Sequence, residues 1–368
     1  MAFKRVPQTF SAKINEVTFG TGDKAVTIGG GNTLPLYTFD APAAHKVAVG
    51  FELTDAGVDK TLPKMAEIFA GCDTPADIAK KAETLEGVDF IALALLGADP
   101  NGENKSVDEC VAIAKAVCEA IEKPLVIMGC KNIEKDAQLF EKIAEALQGK
   151  NVLFVSTKEE NYKVVSAAAA IAYGQKISAE SAVDINLAKQ LNVLISQMGV
   201  KPENMVMNVG SAAAGYGFEY VSSTLDRVKA AALSQNDDML QMPIITPVGD
   251  EAWGVKAESC VMNIGSAAAG YGYEYVSSTL DRVKGAALTQ NDAMLQQPII
   301  TPVGDEAWGV KEAIVSEEDF PEWGPREERG IAMEVSTAAS VIAGGSDAVI
   351  LKHPESVKTI YYLNVHLA

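Results

Sequence analysis

The chain has 368 residues, 48% of them apolar and 22% charged, with a net charge of −18 and an isoelectric point near 4.7. That composition excludes a mainly disordered protein. The negative surface also disfavours binding to a phosphate backbone.

The first nineteen residues lack the apolar stretch of an export signal. The uncharged segment 164–174 is too short to cross a bilayer and reads as a buried helix. A chain of this kind is expected in the reducing cytoplasm, without a membrane or nucleic-acid partner.

Taken in order, residues 13–19 and 25–28 alternate apolar and polar around Gly20-Thr21-Gly22-Asp23, the pattern of a β-hairpin. Residues 1–44 are therefore read as a hairpin extension preceding a domain over 45–368. From His45 onward, apolar strand-like runs fall at 46–53, 90–96, 124–129, 152–157, 176–183, 205–209, 243–248 and 348–352. Helical patterns separate them, among them 107–121, 136–147, 162–173 and 185–198. Continuous apolar strands alternating with amphipathic helices predict a parallel sheet covered on its outer face. Eight such units close into a (β/α)8 TIM barrel of the α/β class. An open doubly wound sheet is disfavoured, because Glu52-Leu53-Thr54-Asp55 follows the first strand where a glycine fingerprint is needed.

Segments 206–256 and 261–311 are a tandem duplication, identical at 45 of 51 positions. Two copies cannot build a solenoid, and ten strands break the match between strand number and tilt in an eight-stranded barrel. One copy is therefore surplus to the ring.

Functional residues of a barrel lie on the loops after its strands. Candidates there are Asp99, Asp184 with Asn186, the Gly-Tyr-Gly turn containing Tyr271 and Gly272, Thr301 with Gly304 and Asp305, and His353. Asp99 before Pro100 fits either an acid/base residue or a local turn, and Asp184 either a ligand contact or a helix cap. The five cysteines form no CxxC pair, and no Cys/His cluster has metal spacing, so neither a metal centre nor an iron–sulfur cluster is expected in this chain. No catalytic triad is legible.

Several blocks in one order resemble the small subunit of the corrinoid iron–sulfur protein, the delta subunit of the CO dehydrogenase/acetyl-CoA synthase system. They are Gly97-Ala98-Asp99-Pro100, Asp184-Ile185-Asn186 with Lys189-Gln190-Leu191-Asn192, Gly270-Tyr271-Gly272, Gly304-Asp305-Glu306-Ala307-Trp308 and His353-Pro354-Glu355. The resemblance implies a TIM barrel paired with a large subunit that carries the cluster. Cobalamin would be shared at that interface near the barrel's open face. It would take a methyl group from methyltetrahydrofolate through a separate methyltransferase and deliver it to acetyl-CoA synthase, in the Wood–Ljungdahl pathway. The rival reading is a pterin-dependent methyltransferase on the same barrel, using Asp99, Asp184 and Asn186. The tail 360–368 does not resemble the family's C-terminal helix.

Overall fold

The computed structural model describes residues 7–8, 10–35, 40–215, 218–254, 324–343 and 348–367. Strands β1 (Glu16–Phe19) and β2 (Val26–Gly29) pair antiparallel around a short turn, so the predicted hairpin forms. Each of the eight predicted runs then supplies one strand. These are β3 (Ala48–Thr54), β4 (Phe90–Ala94), β5 (Leu125–Met128), β6 (Leu153–Thr157), β7 (Lys176–Ser181), β8 (Met205–Val209), β9 (Ile245–Pro247) and β10 (Ala348–Leu351). They form one parallel sheet in the order β8-β7-β6-β5-β4-β3-β10-β9. Its ends meet where Met207 pairs in parallel with Ile244 and donates its N–H to the Pro243 carbonyl at 2.8 Å. The ring is a (β/α)8 barrel.

Alternation along each strand sorts the side chains. Val49, Phe51 and Leu53 of β3 join the outer core, between sheet and helices, with Ile91 and Leu93 of β4. Ala48, Phe90, Ala92, Val126, Leu153, Val206, Ile245 and Ile350 form a separate inner core. Val17, Phe19 and Ile28 of the hairpin belong to that same inner cluster, so the hairpin is the floor of the barrel. Phe19 meets Phe90 edge to face, with ring centroids 5.4 Å apart. A glycine is needed opposite them, because a β-carbon at Gly50 would run into the Phe90 ring. Asn151 fastens the plug by donating from Nδ2 to the Thr18 and Gly20 carbonyls at 3.0 and 2.9 Å.

The outer helices are α1 (Pro63–Ile68), α2 (Pro75–Ala82), α3 (Val107–Ala120), α4 (Ile133–Ala146), α5 (Tyr162–Val165), α6 (Ile185–Gln197), α7 (Phe218–Ser234), α8 (Gly249–Gly254), α9 (Arg326–Ala343) and α10 (Pro354–Leu367). Ser106 opens α3 through a capping box with Glu109, each side chain bonding the other's backbone N–H. One expectation needs correction. The uncharged segment after Tyr162 is a short α-helix running into a π-helical turn over Ser166–Ile171, and it is only half buried: Val165, Ser166, Ala169 and Ala170 pack inward while Val164 and Ile171 are exposed. The chain's last described element is the helix α10, in which Val357 and Ile360 are fully buried. No helix among the described residues is long and apolar enough to cross a membrane.

Within the duplication, the first copy supplies β8, α7, β9 and α8; the second lies outside the described residues. Met242 sits fully buried in the first copy, where the second carries Gln297. Asn15 Nδ2, 3.9 Å from the Met242 sulfur, could meet the oxygen of an amide placed there, but the amide NH2 would be buried without an assured partner. Met242→Gln is expected to lower the unfolding free energy by about 1–3 kcal/mol, measured by urea denaturation; an unchanged midpoint would show that both copies suit this seat equally.

Candidate functional site

Because inward positions recur every second residue, each strand presents its last inward side chain at the C-terminal mouth. Glu52 at the end of β3, Glu180 in β7, Asn208 in β8 and Lys352 just past β10 arrive there. Lys131 follows β5, and Asp250 with Glu251 lies in the first turn of α8. Lys352 Nζ lies 2.6 Å from Asp250 Oδ1 and 3.8 Å from Glu52 Oε1. Lys131 Nζ lies 2.6 Å from Asp250 Oδ2 and 3.1 Å from Glu251 Oε1. Asp250 thus joins two lysines contributed by distant parts of the chain.

The electrostatics follow from this packing. Burial works against ionisation of Asp250, yet Lys352 and Lys131 outweigh it and hold the carboxyl down at about 2. Burial likewise pulls both lysines down, and the neighbouring carboxylates more than restore them, so both stay protonated. Lys131 holds a left-handed backbone, φ 68°, an uncommon conformation for a residue with a β-carbon. Burial dominates at Glu52 and pushes its carboxyl up to about 7, with Lys352 pulling the other way and Asp250 and Glu334 adding to the rise. Glu52 is 2% exposed, and among the described residues neither of its oxygens has a hydrogen-bond partner.

Glu52 is a shared wall. On one side is a mouth cavity of about 120 Å3, lined also by Lys131, Ser156, Glu180, Asn208 and Asp250. On the other is a side cavity of about 370 Å3, lined also by Leu62, Met65, Trp253, Arg326 and Lys352. A third, a groove of about 420 Å3, lies beside the mouth. Val183, Leu187, Leu191 and Leu194 give it an apolar floor, and Lys158 and Glu160 contribute charge to its lining. Among the described residues no group of three His, Cys, Asp or Glu could hold a metal ion.

The residues singled out from the sequence fall in different places. Asp99 accepts from the Asn101 N–H at 3.0 Å, closing its own turn. Asp184 caps α6 by accepting from the Asn186 and Leu187 N–H groups at 2.7 and 3.4 Å, and Asn186 is exposed. None of these three lines the three cavities. His353 does line the side cavity, although only 1% exposed. Its Nδ1 accepts from the Glu355 N–H at 3.1 Å, which leaves Nε2 to donate to Glu327 Oε1 at 3.2 Å. Burial lowers its pKa, only partly opposed by Glu327, so the imidazole is neutral and stacks on Trp253. Tyr271, Gly272, Thr301, Gly304 and Asp305 lie outside the described residues.

The sequence places Glu52, Lys131, Asp250 and Lys352 on the loops after the strands without singling out any of the four, although Asp250 is the first-copy counterpart of the candidate Asp305. One signal for Glu52 was available: it is the single charge inside the apolar run 47–53.

A family model described as CO dehydrogenase/acetyl-CoA synthase delta subunit matches residues 16–259. The acetyl-CoA decarbonylase/synthase complex subunit delta of Archaeoglobus fulgidus is 28% identical over 367 residues, 97% of this chain and 69% of that protein. The delta 1 subunit of Methanosarcina thermophila is 26% identical over 342 residues, covering 93% of this chain and 66% of its own length. The delta subunit of Methanothermobacter thermautotrophicus is 31% identical over 250 residues, 67% of this chain and 63% of that protein. The chain spans roughly two thirds of the length of these relatives. Among solved structures, dihydropteroate synthase from Stenotrophomonas maltophilia superposes with a TM-score of 0.45 at 10% identity, over 91% of this chain and 98% of that one. Since the family model covers well over half of its residues, this chain belongs to the CO dehydrogenase/acetyl-CoA synthase delta subunit family.

Proposed function

We propose that the chain is the barrel subunit of a corrinoid methyl carrier. Its C-terminal face lies against a large subunit that bears the iron–sulfur cluster, and cobalamin sits between them. When bound there, the corrinoid would supply a cobalt centre able to carry a methyl group; the methyl source in this reading is methyltetrahydrofolate, through a separate methyltransferase, and the recipient is acetyl-CoA synthase. The match to the delta subunit family carries this reading.

The residues at the mouth fit such a group from one side. A corrin with its amide arms is larger than any of the three cavities, so this face can cover the macrocycle but not enclose it. The groove offers an apolar floor at Val183, Leu187 and Leu191, with Lys158, Glu160 and Gln190 beside it for polar arms. The chain's own task in this reading is to orient the ligand, exclude water from one side, and leave the reacting face to its partners.

Leu187 tests the face. It is 41% exposed and lies in the first turn of α6, where a carboxylate is tolerated, so Leu187→Asp is expected to leave stability within about 0.5 kcal/mol. Putting a charge where an apolar side chain anchors an interface is expected to weaken assembly with the corrinoid-bearing subunit by about tenfold or more, read by titration calorimetry. Unchanged affinity would place the interface elsewhere.

A further inference from the structure

Among the described residues, Glu52 is the side chain at the mouth whose chemistry the fold leaves incomplete. Asp250 is bonded to two lysines, Glu251 pairs with Lys131, Glu180 lies 3.3 Å from Lys158, and Asp136 accepts from the Cys130 N–H. Glu52 is buried, neither of its oxygens has a hydrogen bond among the described residues, and it lines both the mouth and the side cavity. A buried carboxyl in that condition is costly unless something meets it.

We propose that Glu52 is the anchor for a primary carboxamide, which enters the cavity beside it and pairs with the carboxyl in one plane. A protonated carboxyl presents one O–H donor and one acceptor oxygen side by side. A primary carboxamide presents the complement, a C=O that accepts and an N–H that donates, so two hydrogen bonds close one ring. A cationic ligand suits the position less well, because Lys352 already lies 3.8 Å from Glu52. A carboxylate ligand would be repelled whenever Glu52 ionises.

The charged groups that act on Glu52 are Lys352 after β10, Asp250 in α8, Glu334 in α9 and Lys131 after β5. Lysines and carboxylates oppose one another there, and burial keeps the carboxyl protonated up to about pH 7. Amide binding should therefore be constant below pH 7 and weaken above it.

The proposal deepens the corrinoid reading, since a corrin bears primary carboxamide arms, but the site rests on the cavities alone. The two can fail separately. The first experiment uses the full chain and propionamide, followed by saturation-transfer NMR of the ligand's methyl protons. Saturable binding is expected for propionamide and not for N,N-dimethylpropionamide, which has no N–H to donate. Glu52→Met should weaken propionamide binding at least tenfold. Glu52→Gln, which keeps a neutral donor and acceptor, should retain binding within about threefold and lose the decline above pH 7. No saturable binding, equal binding of the dimethyl amide, or an unaffected Glu52→Met variant would each overturn the site. Should the variants fail to fold, the two amides and the pH profile of the unaltered chain decide it. The second experiment repeats the titration in the complex with the corrinoid-bearing subunit. Displacement of propionamide by cobalamin identifies the arm of a corrinoid as the source. Simultaneous binding identifies a free small amide instead, leaving the site in place and refuting the corrinoid source.

Discussion

Phe19→Ala is expected to lower the unfolding free energy by about 3–5 kcal/mol, the range for removing a large aromatic side chain from a core. The reason is topological. Phe19 is fully buried, touches Phe90 and closes the lower end of the barrel interior, so its removal opens a cavity between two elements far apart in sequence. Neighbouring side chains cannot collapse into the space, because the inner core is already filled by strand residues on all sides. Urea denaturation followed by circular dichroism measures the effect. A drop below about 1 kcal/mol would mean that the hairpin is an appendage and not the floor.

Glu52→Gln is expected to change how stability depends on pH. In the folded chain Glu52 keeps its proton up to about pH 7, and the ordinary value is 4.5. Between those values the native state holds the extra proton, so this group's contribution falls as pH rises through that window and levels off above it. The shift corresponds to about 3 kcal/mol of destabilisation at pH 8 relative to pH 4. Glutamine cannot ionise, so the variant is expected to be more stable than the native chain by up to that amount at pH 8 and about equal to it near pH 4. Asp250 acts in the opposite direction and at lower pH. Its depressed carboxyl stabilises the fold at neutral pH, and that contribution is lost on acidification through about 2. Denaturation midpoints of both chains across the pH range check the first claim; parallel curves would contradict it.

The architecture was legible because each element carries its own signal. All eight strands lie in apolar runs that need cover on both faces, and the helices between them have a periodic apolar side. Ser106 and Asp184 announce α3 and α6 through their capping chemistry. Which face of residues 162–173 turns outward was not legible, since alanine is neutral to burial and the turn becomes π-helical there. The mouth was harder still. Lys131 and Asp250 are 119 positions apart, and Glu52 meets Lys352 only because β3 and β10 are adjacent in the closed ring. A linear reading sees acidic and basic residues on separate loops; closure makes them one network. For Asp99 and Asp184, local backbone N–H groups are near enough in sequence to occupy the carboxylates.

If this barrel covers a corrinoid held jointly with a larger subunit, a reconstitution shows it. The full chain, the corrinoid-bearing large subunit and cobalamin are combined, and light scattering and corrinoid absorbance are followed across a sizing column. The chain alone is expected to elute without corrinoid absorbance, and the mixture to give one peak containing both chains and one cobalamin per pair. Stoichiometric cobalamin on the isolated chain, or a chain that stays monomeric beside the loaded large subunit, would contradict joint coverage of the corrinoid.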